Sequence, residues 1–219
     1  MADVTVKVLD PATSFDFLTL AEAKVLLGIS PADTSQDALL SMLITTYSTY
    51  VAELCNRTFA KERVTETWRE VYDGRVFLTH WPVKETDIED VVPAGDSSFY
   101  PAGVYELEEQ SGKLSNVALY AAEATAWPQS VIVTYTGGFV LPDEAPLPLK
   151  QAVAILIRDE RTKNQQAQAA GIRQITHKES RIVFFDPNAV LAKLASSGGR
   201  SAAMQAAESL LKQYTRWWV

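Results

Sequence analysis

Histidine and cysteine are nearly absent from this 219-residue chain, which has two of the first, His80 and His177, and one of the second, Cys55. A single thiol excludes an intramolecular disulfide and a cysteine-based zinc site, which fits a reducing compartment. A Ser-His-Asp or Cys-His arrangement has to use one of the two histidines, and neither lies in a nucleophile motif. His80, inside THWP, reads as a cap or packing group at a strand end. His177, inside ITHKES, reads as part of a polar loop. The opening MADVTVKVLD has acids where a secretory leader has a basic patch followed by an apolar stretch, and no later run approaches membrane-spanning length. The expectation is a protein of the cytoplasm in which it is made, with no membrane association. Gly137-Gly138 lacks the context a phosphate loop needs, and Glu106, Glu108 and Glu109 read as a solvated strand edge before a turn rather than an acid/base pair. The expectation is therefore no enzyme, no catalytic residue, no metal and no cofactor.

What is present is an ordinary apolar content for a globular protein and enough length to bury a core in one domain, or in one domain with a distinct subdomain. Charge is unevenly placed. Residues 1–149 hold 9 Lys+Arg against 22 Asp+Glu, and residues 150–219 hold 11 against 5, so net charges of −13 and +6 hide inside the total of −7. Two readings stand: both faces are merely solvated, or a basic C-terminal third reaches an acidic neighbour in an assembly of identical subunits.

Thr19 and Glu22 form a T-x-x-E capping box and Gly28 closes the turn, predicting a helix over 20–27. Leu40, Leu43, Ile44, Tyr47, Val51, Leu54 and Cys55 recur at helical spacing and predict a second helix over 36–56. On that stripe Cys55 reads as a small buried apolar residue. Tyr50, off its centre, is a candidate contact to another subunit. The middle third changes period: VTETW, RVFLTHW, DIEDVV, VYELE and VIVTYTGGF are short and β-branched or aromatic, predicting an antiparallel sheet of four to six strands. Asp73-Gly74 is the strongest hairpin signal, and Gly137-Gly138 marks a bend or bulge.

Pro148 sits in the first turn of a further helix that buries Val153, Leu156 and Ile157 and should end by about 164. QQAQAAGIRQ lacks an apolar period and reads as a mobile or partner-ordered connection. RIVFF (181–185) reads as a strand with no nearby mate, able to complete a sheet in a neighbouring chain. Asp186-Pro187 predicts a short helix over 187–196, and a last helix starts near Ser201. The sequence closes on LLKQYTRWWV, where adjacent tryptophans point about 100 degrees apart on a helix and cannot share one small core. Either one tryptophan packs on its own chain, or the segment anchors a partner, since Trp, Tyr and Arg dominate binding hot spots.

The order of these segments carries a resemblance. LT-x-x-E-A-K-x-x-L-G-I, then D-x-L-L-x-x-L-I leading to C-N-R-T, then T-E-T-W, W-P-V, V-x-Y-x-G-G-F with prolines and L-K-Q-A-V, and a final L-L-x-x-Y-x-R-W resemble the head-to-tail connector (adaptor, head-completion) proteins of long-tailed bacteriophages and gene transfer agents. The resemblance implies an α+β fold: a helical layer, made of the N-terminal helix pair and a later helix, with an inserted antiparallel β subdomain and a C-terminal helical or extended arm. The implied division is 1–62 helical, 63–139 β subdomain, 140–164 the completing helix and 165–219 the arm. It implies a virion protein at the head-to-tail interface, forming a homo-oligomeric ring, commonly of twelve subunits, under the portal protein. A stopper or tail-completion protein would dock on that ring, and DNA would be transiting cargo. Candidate portal or intersubunit contacts are Tyr214, Arg216, Trp217, Trp218, Phe184, Phe185 and Arg181, with Trp68 and Trp81 as possible contacts of the β subdomain. Two alternatives remain: a stopper or tail-completion protein, and a carbohydrate-binding module or hydrolase with Trp68 and Trp81 lining a cleft.

Overall fold

Valines alternating with polar residues in DVTVKVLD favour extended chain, and the segment forms strand β1 (Asp3–Asp10). It pairs antiparallel with β2 (Glu62–Arg69), so residues expected to belong to a helical part instead edge a sheet. That sheet has four strands, continuing from β2 to β7 (Ser130–Gly137) and then to β4 (Ile88–Pro93). A second, three-stranded sheet orders β3 (Arg75–Phe77), β6 (Lys113–Asn116) and β5 (Tyr105–Glu108). A computed structural model provides these coordinates and describes residues 3–71, 74–93, 105–116, 130–169, 174–177, 180–183 and 201–216.

The single sheet expected from the sequence is thus two sheets, and the reason lies at Asp73-Gly74. The flanking strands β2 and β3 do not pair with each other. β3 pairs with β6, and the Gly74 carbonyl accepts from the Asn116 amide at 2.9 Å. Between β2 and β3 the chain passes from one sheet to the other instead of turning back in a hairpin. The tight hairpin is β5–β6, where Gly112 at φ 66° follows Ser111 and Glu108 opposes Lys113. Strict alternation sends Val64 and Trp68 of β2 and Val131, Val133 and Tyr135 of β7 into one buried cluster with Val76, Leu78 and Leu114 from the region of the second sheet. Each such side chain contributes about 1.5–3 kcal/mol by leaving water.

By compactness the chain divides into two units. One holds both sheets and comprises Met1–Phe17, Ala52–Ala145 and Thr215–Val219; the other comprises Leu18–Val51 and Pro146–Tyr214. The second unit begins with α1 (Leu20–Leu27), whose Thr19–Glu22 capping box is fully made and whose Gly28 is left-handed at φ 70°. Lys150 reaches Glu22 at 2.5 Å, and the buried Lys24 pairs with Asp37 at 2.6 Å. In α2 (Asp37–Cys55), Leu40, Ile44 and Val51 are buried. This 19-residue helix is long and apolar enough to cross a membrane by length and composition, which corrects the expectation that no run approaches that length. Its serines, threonines and tyrosines break the run to the eye, yet no charge falls between Asp37 and Glu53. The hydroxyls of Thr45, Thr46 and Thr49 bond carbonyls one turn back.

The next helix, α3 (Leu147–Ala169), buries Leu149, Val153 and Ile157 and runs five residues beyond the expected stop at 164. Glutamine and alanine are good helix formers without any apolar period, so QQAQA continues the helix. RIVFF does have a mate: β8 (Gln174–His177) pairs antiparallel with β9 (Ser180–Val183). His177 therefore lies in a strand opposite Ser180, not in a loop. The helix expected at 187–196 lies outside the described residues. Ser201 caps α4 (Ala202–Leu211), which packs on α3 and buries Ala207 and Leu211.

Candidate functional site

The β unit is held by a buried polar network that the alternation of ERVTETW places inward. Glu62 and Glu66 share the buried face of β2 with Val64 and Trp68. Glu66, 0% exposed, accepts from the Thr79 amide at 2.9 Å, the Thr79 and Tyr135 hydroxyls, and the Trp68 indole N–H at 2.9 Å. The His80 amide donates to the Tyr135 hydroxyl at 3.0 Å, and the His80 ring links Thr79 (Nδ1, 2.8 Å) to Glu62 (Nε2, 3.0 Å). The one Thr79 hydroxyl proton goes to Glu66, so Nδ1 donates to Thr79. Burial pushes the Glu66 carboxyl up, but the nearby His80 ring and the hydrogen bonds from Thr79 and Tyr135 outweigh it and hold it below its ordinary 4.5. Burial and the Glu66 charge drive the Tyr135 hydroxyl well above its ordinary 10.0.

The network therefore ties β2, β7 and the segment after β3 together from inside. Trp68 is 3% exposed with its indole N–H spent on Glu66, so it belongs to the core and not to a contact surface. Trp81 is half-buried, with the Arg57 guanidinium 3.1 Å from its ring centroid and Gly112 packed against it. Sequence reading placed His80 at a strand end but missed Glu62, Glu66, Thr79 and Tyr135 as its partners. The available signal was the spacing of Glu62 and Glu66 in register with the inward Val64 and Trp68.

The C-terminal stretch enters this unit at Arg216. Its amide donates to the Cys55 carbonyl at 2.8 Å, its Nη2 donates to the Phe77 carbonyl at 3.2 Å, and its guanidinium lies 5.9 Å from the Trp68 ring. Burial presses the guanidinium below its ordinary range, and the Glu66 charge opposes that effect. Arg216 thus serves its own chain. Cys55 is fully buried, and desolvation pushes its thiol up to about 11, as a core residue and not a nucleophile.

In the helical unit Tyr214 ends a 3-10 turn, half-buried. Tyr50 stacks edge-on against Tyr47 and its hydroxyl lies 3.4 Å from Met204 Sδ, so this off-stripe position is already used within the chain. The Tyr47 hydroxyl, 3.4 Å from Glu160, is pushed up to about 12 by burial and the Glu160 charge. Arg181 occupies β9 opposite Thr176. Phe184, Phe185, Trp217 and Trp218 lie outside the described residues. Among the described residues no cluster of three or more His, Cys, Asp or Glu is arranged to hold a metal.

The chain matches no protein-family model and no curated protein. Its fold does match chains in solved particles of gene transfer agents (GTA). One comes from the neck of an empty GTA particle computed with C6 symmetry, 16% identical with a TM-score of 0.52, covering 98% of this chain and 97% of that one. A second comes from the virion of a native GTA particle, at 18% identity and 0.51 over 98% and 96%. A third, from the neck of a native GTA particle computed with C12 symmetry, gives 17% and 0.50 over 98% and 97%. At these identities the likeness is one of fold, and it runs the length of both chains.

Proposed function

We propose that this chain is a structural protein of the virion neck: a ring, twelvefold, that docks beneath the portal, receives the tail side on its other face and lets DNA pass through its centre. One observation carries the reading. The fold match covers almost the whole of this chain and of neck chains computed with sixfold and twelvefold symmetry, helices, sheets and C-terminal stretch together. The division into an acidic body and a basic last third supports it, because like subunits in a ring bring opposite charges side by side. The protein would be made in the host bacterium and act in the virion without catalysis.

Portal contact is assigned to Trp217 and Trp218, with Phe184, Phe185 and Arg181 as further contacts. Tyr214 and Arg216 act from behind, setting where the tryptophans emerge. Acidic side chains on the ring's inner wall would let DNA slide without sticking. Electron microscopy of the protein mixed with its candidate portal tests the reading. A closed ring on the portal's tail-side face is expected, and a chain that never meets the portal sinks it. Copurification with portal, and not with tail-tube protein, separates a connector from a stopper or tail-completion protein.

A further inference from the structure

Strand β1 is unfinished. Val4, Val6 and Val8 stand opposite Trp68, Glu66 and Val64 of β2, on the face that β2 buries. Yet Val6 is 38% and Val8 45% exposed, because β1 ends the sheet order and no described strand lies beyond it. An eight-residue edge with no described strand beyond it is a template for another strand. The β8–β9 ribbon has the complementary deficit. It is a two-stranded sheet with no third strand among the described residues, and an isolated ribbon of that size is marginal in water. Its register sets Ile175 opposite Ile182.

Charge matches the two. Residues 3–16 carry Asp3, Asp10 and Asp16 against Lys7, with Asp3 and Asp10 shared with Arg69 and Arg63 of β2 at 3.4 and 3.5 Å, whereas residues 173–181 carry Arg173, Lys178 and Arg181 against Glu179. We propose that the β8–β9 ribbon of one copy adds to the β1 edge of the next copy, extending its four-stranded sheet and covering Val6 and Val8. Edge and ribbon are different surfaces, so the contact is head-to-tail, the kind that closes into a ring. The inference rests on the ring reading for its purpose, but its geometry is testable without a portal.

The experiment mixes full-length chains carrying Val6→Cys or Val8→Cys with chains carrying Ile182→Cys, each free and with portal present, under mild oxidation. The native Cys55 is buried and does not compete. A disulfide-linked heterodimer is expected for at least one edge position. Val6→Lys and Ile182→Lys should each weaken self-association tenfold or more while circular dichroism stays that of the parent. Mixed together, these two variants still join once, through the intact ribbon of one and the intact edge of the other, and stop at pairs. No heterodimer from folded chains, or edge-to-edge homodimers in excess of heterodimers, overturns the proposal. Rings on the portal without these cross-links leave the neck reading standing and remove this one. Cross-links without portal binding do the reverse.

Discussion

Glu66 tolerates full burial because four donors converge on its two oxygens, and removing it would strand those donors in the core. Glu66→Ala should destabilise the chain by about 3–5 kcal/mol, read as a shift of the urea midpoint at unchanged slope. The same carboxyl makes an acid prediction. Its folded pKa lies below the unfolded value, so its contribution is present above the ordinary 4.5 and is lost as pH falls through the folded value. Urea midpoints measured from pH 7 down to pH 3 should drop below about 4.5 in the parent and more weakly in Glu66→Gln. Cys55, buried with its thiol near 11, should stay silent to a thiol reagent at pH 8 and react in full once the chain is unfolded in urea. The burial of Cys55 was legible from its place on the helical stripe. VTETW announced a strand and its alternation set the glutamates on the valine face, but their partners Thr79, His80 and Tyr135 come from distant segments.

Elements were read well where their signals are local. The Thr19 box, the Gly28 stop and the Ser201 cap depend on neighbours within four residues, and all three are formed. Thr19→Ala should cost about 1 kcal/mol, seen as a lower thermal midpoint, since it also loosens the Glu22 carboxylate that holds Lys150. Errors fell where the partner is distant. Asp73-Gly74 is a good turn dipeptide, but turn chemistry does not decide which strands pair, and β3 finds β6. The valine alternation of β1 is a local strand signal, but the strand it pairs with, β2, lies far along the chain. Gly112 shows the non-local rule inside a true hairpin: a Cβ there would lie 2.9 Å from Trp81 Cβ, on backbone at φ 66°. Gly112→Ala should lower the thermal midpoint by several degrees and disturb the Arg57–Trp81 stack, visible in tryptophan fluorescence.

For the whole molecule, the charge division bears on the proposed ring, where an acidic body would attract the basic last third of its neighbour across a contact that salt screens over about 8–10 Å at 0.1–0.15 M. Self-association measured by sedimentation should therefore weaken between 50 and roughly 500 mM salt, without loss of helical signal. Removing 217–219 should leave a folded chain that no longer holds the portal in a pull-down. A longer cut from 210 tests less, because it takes the buried Leu211 out of α4 and the Arg216 tie with it. The two-unit plan itself was only partly visible in the sequence, since each unit is assembled from segments far apart in the chain.

The tie between Arg216 and the Cys55 carbonyl also limits how far the chain can cast its indoles. Consecutive Cα atoms sit about 3.8 Å apart, so the backbone of Trp218 cannot travel more than about 8 Å from a fixed mooring on the β unit. On the proposed portal reading, whatever those rings grip must come to this short leash, each indole adding only its own length to that radius.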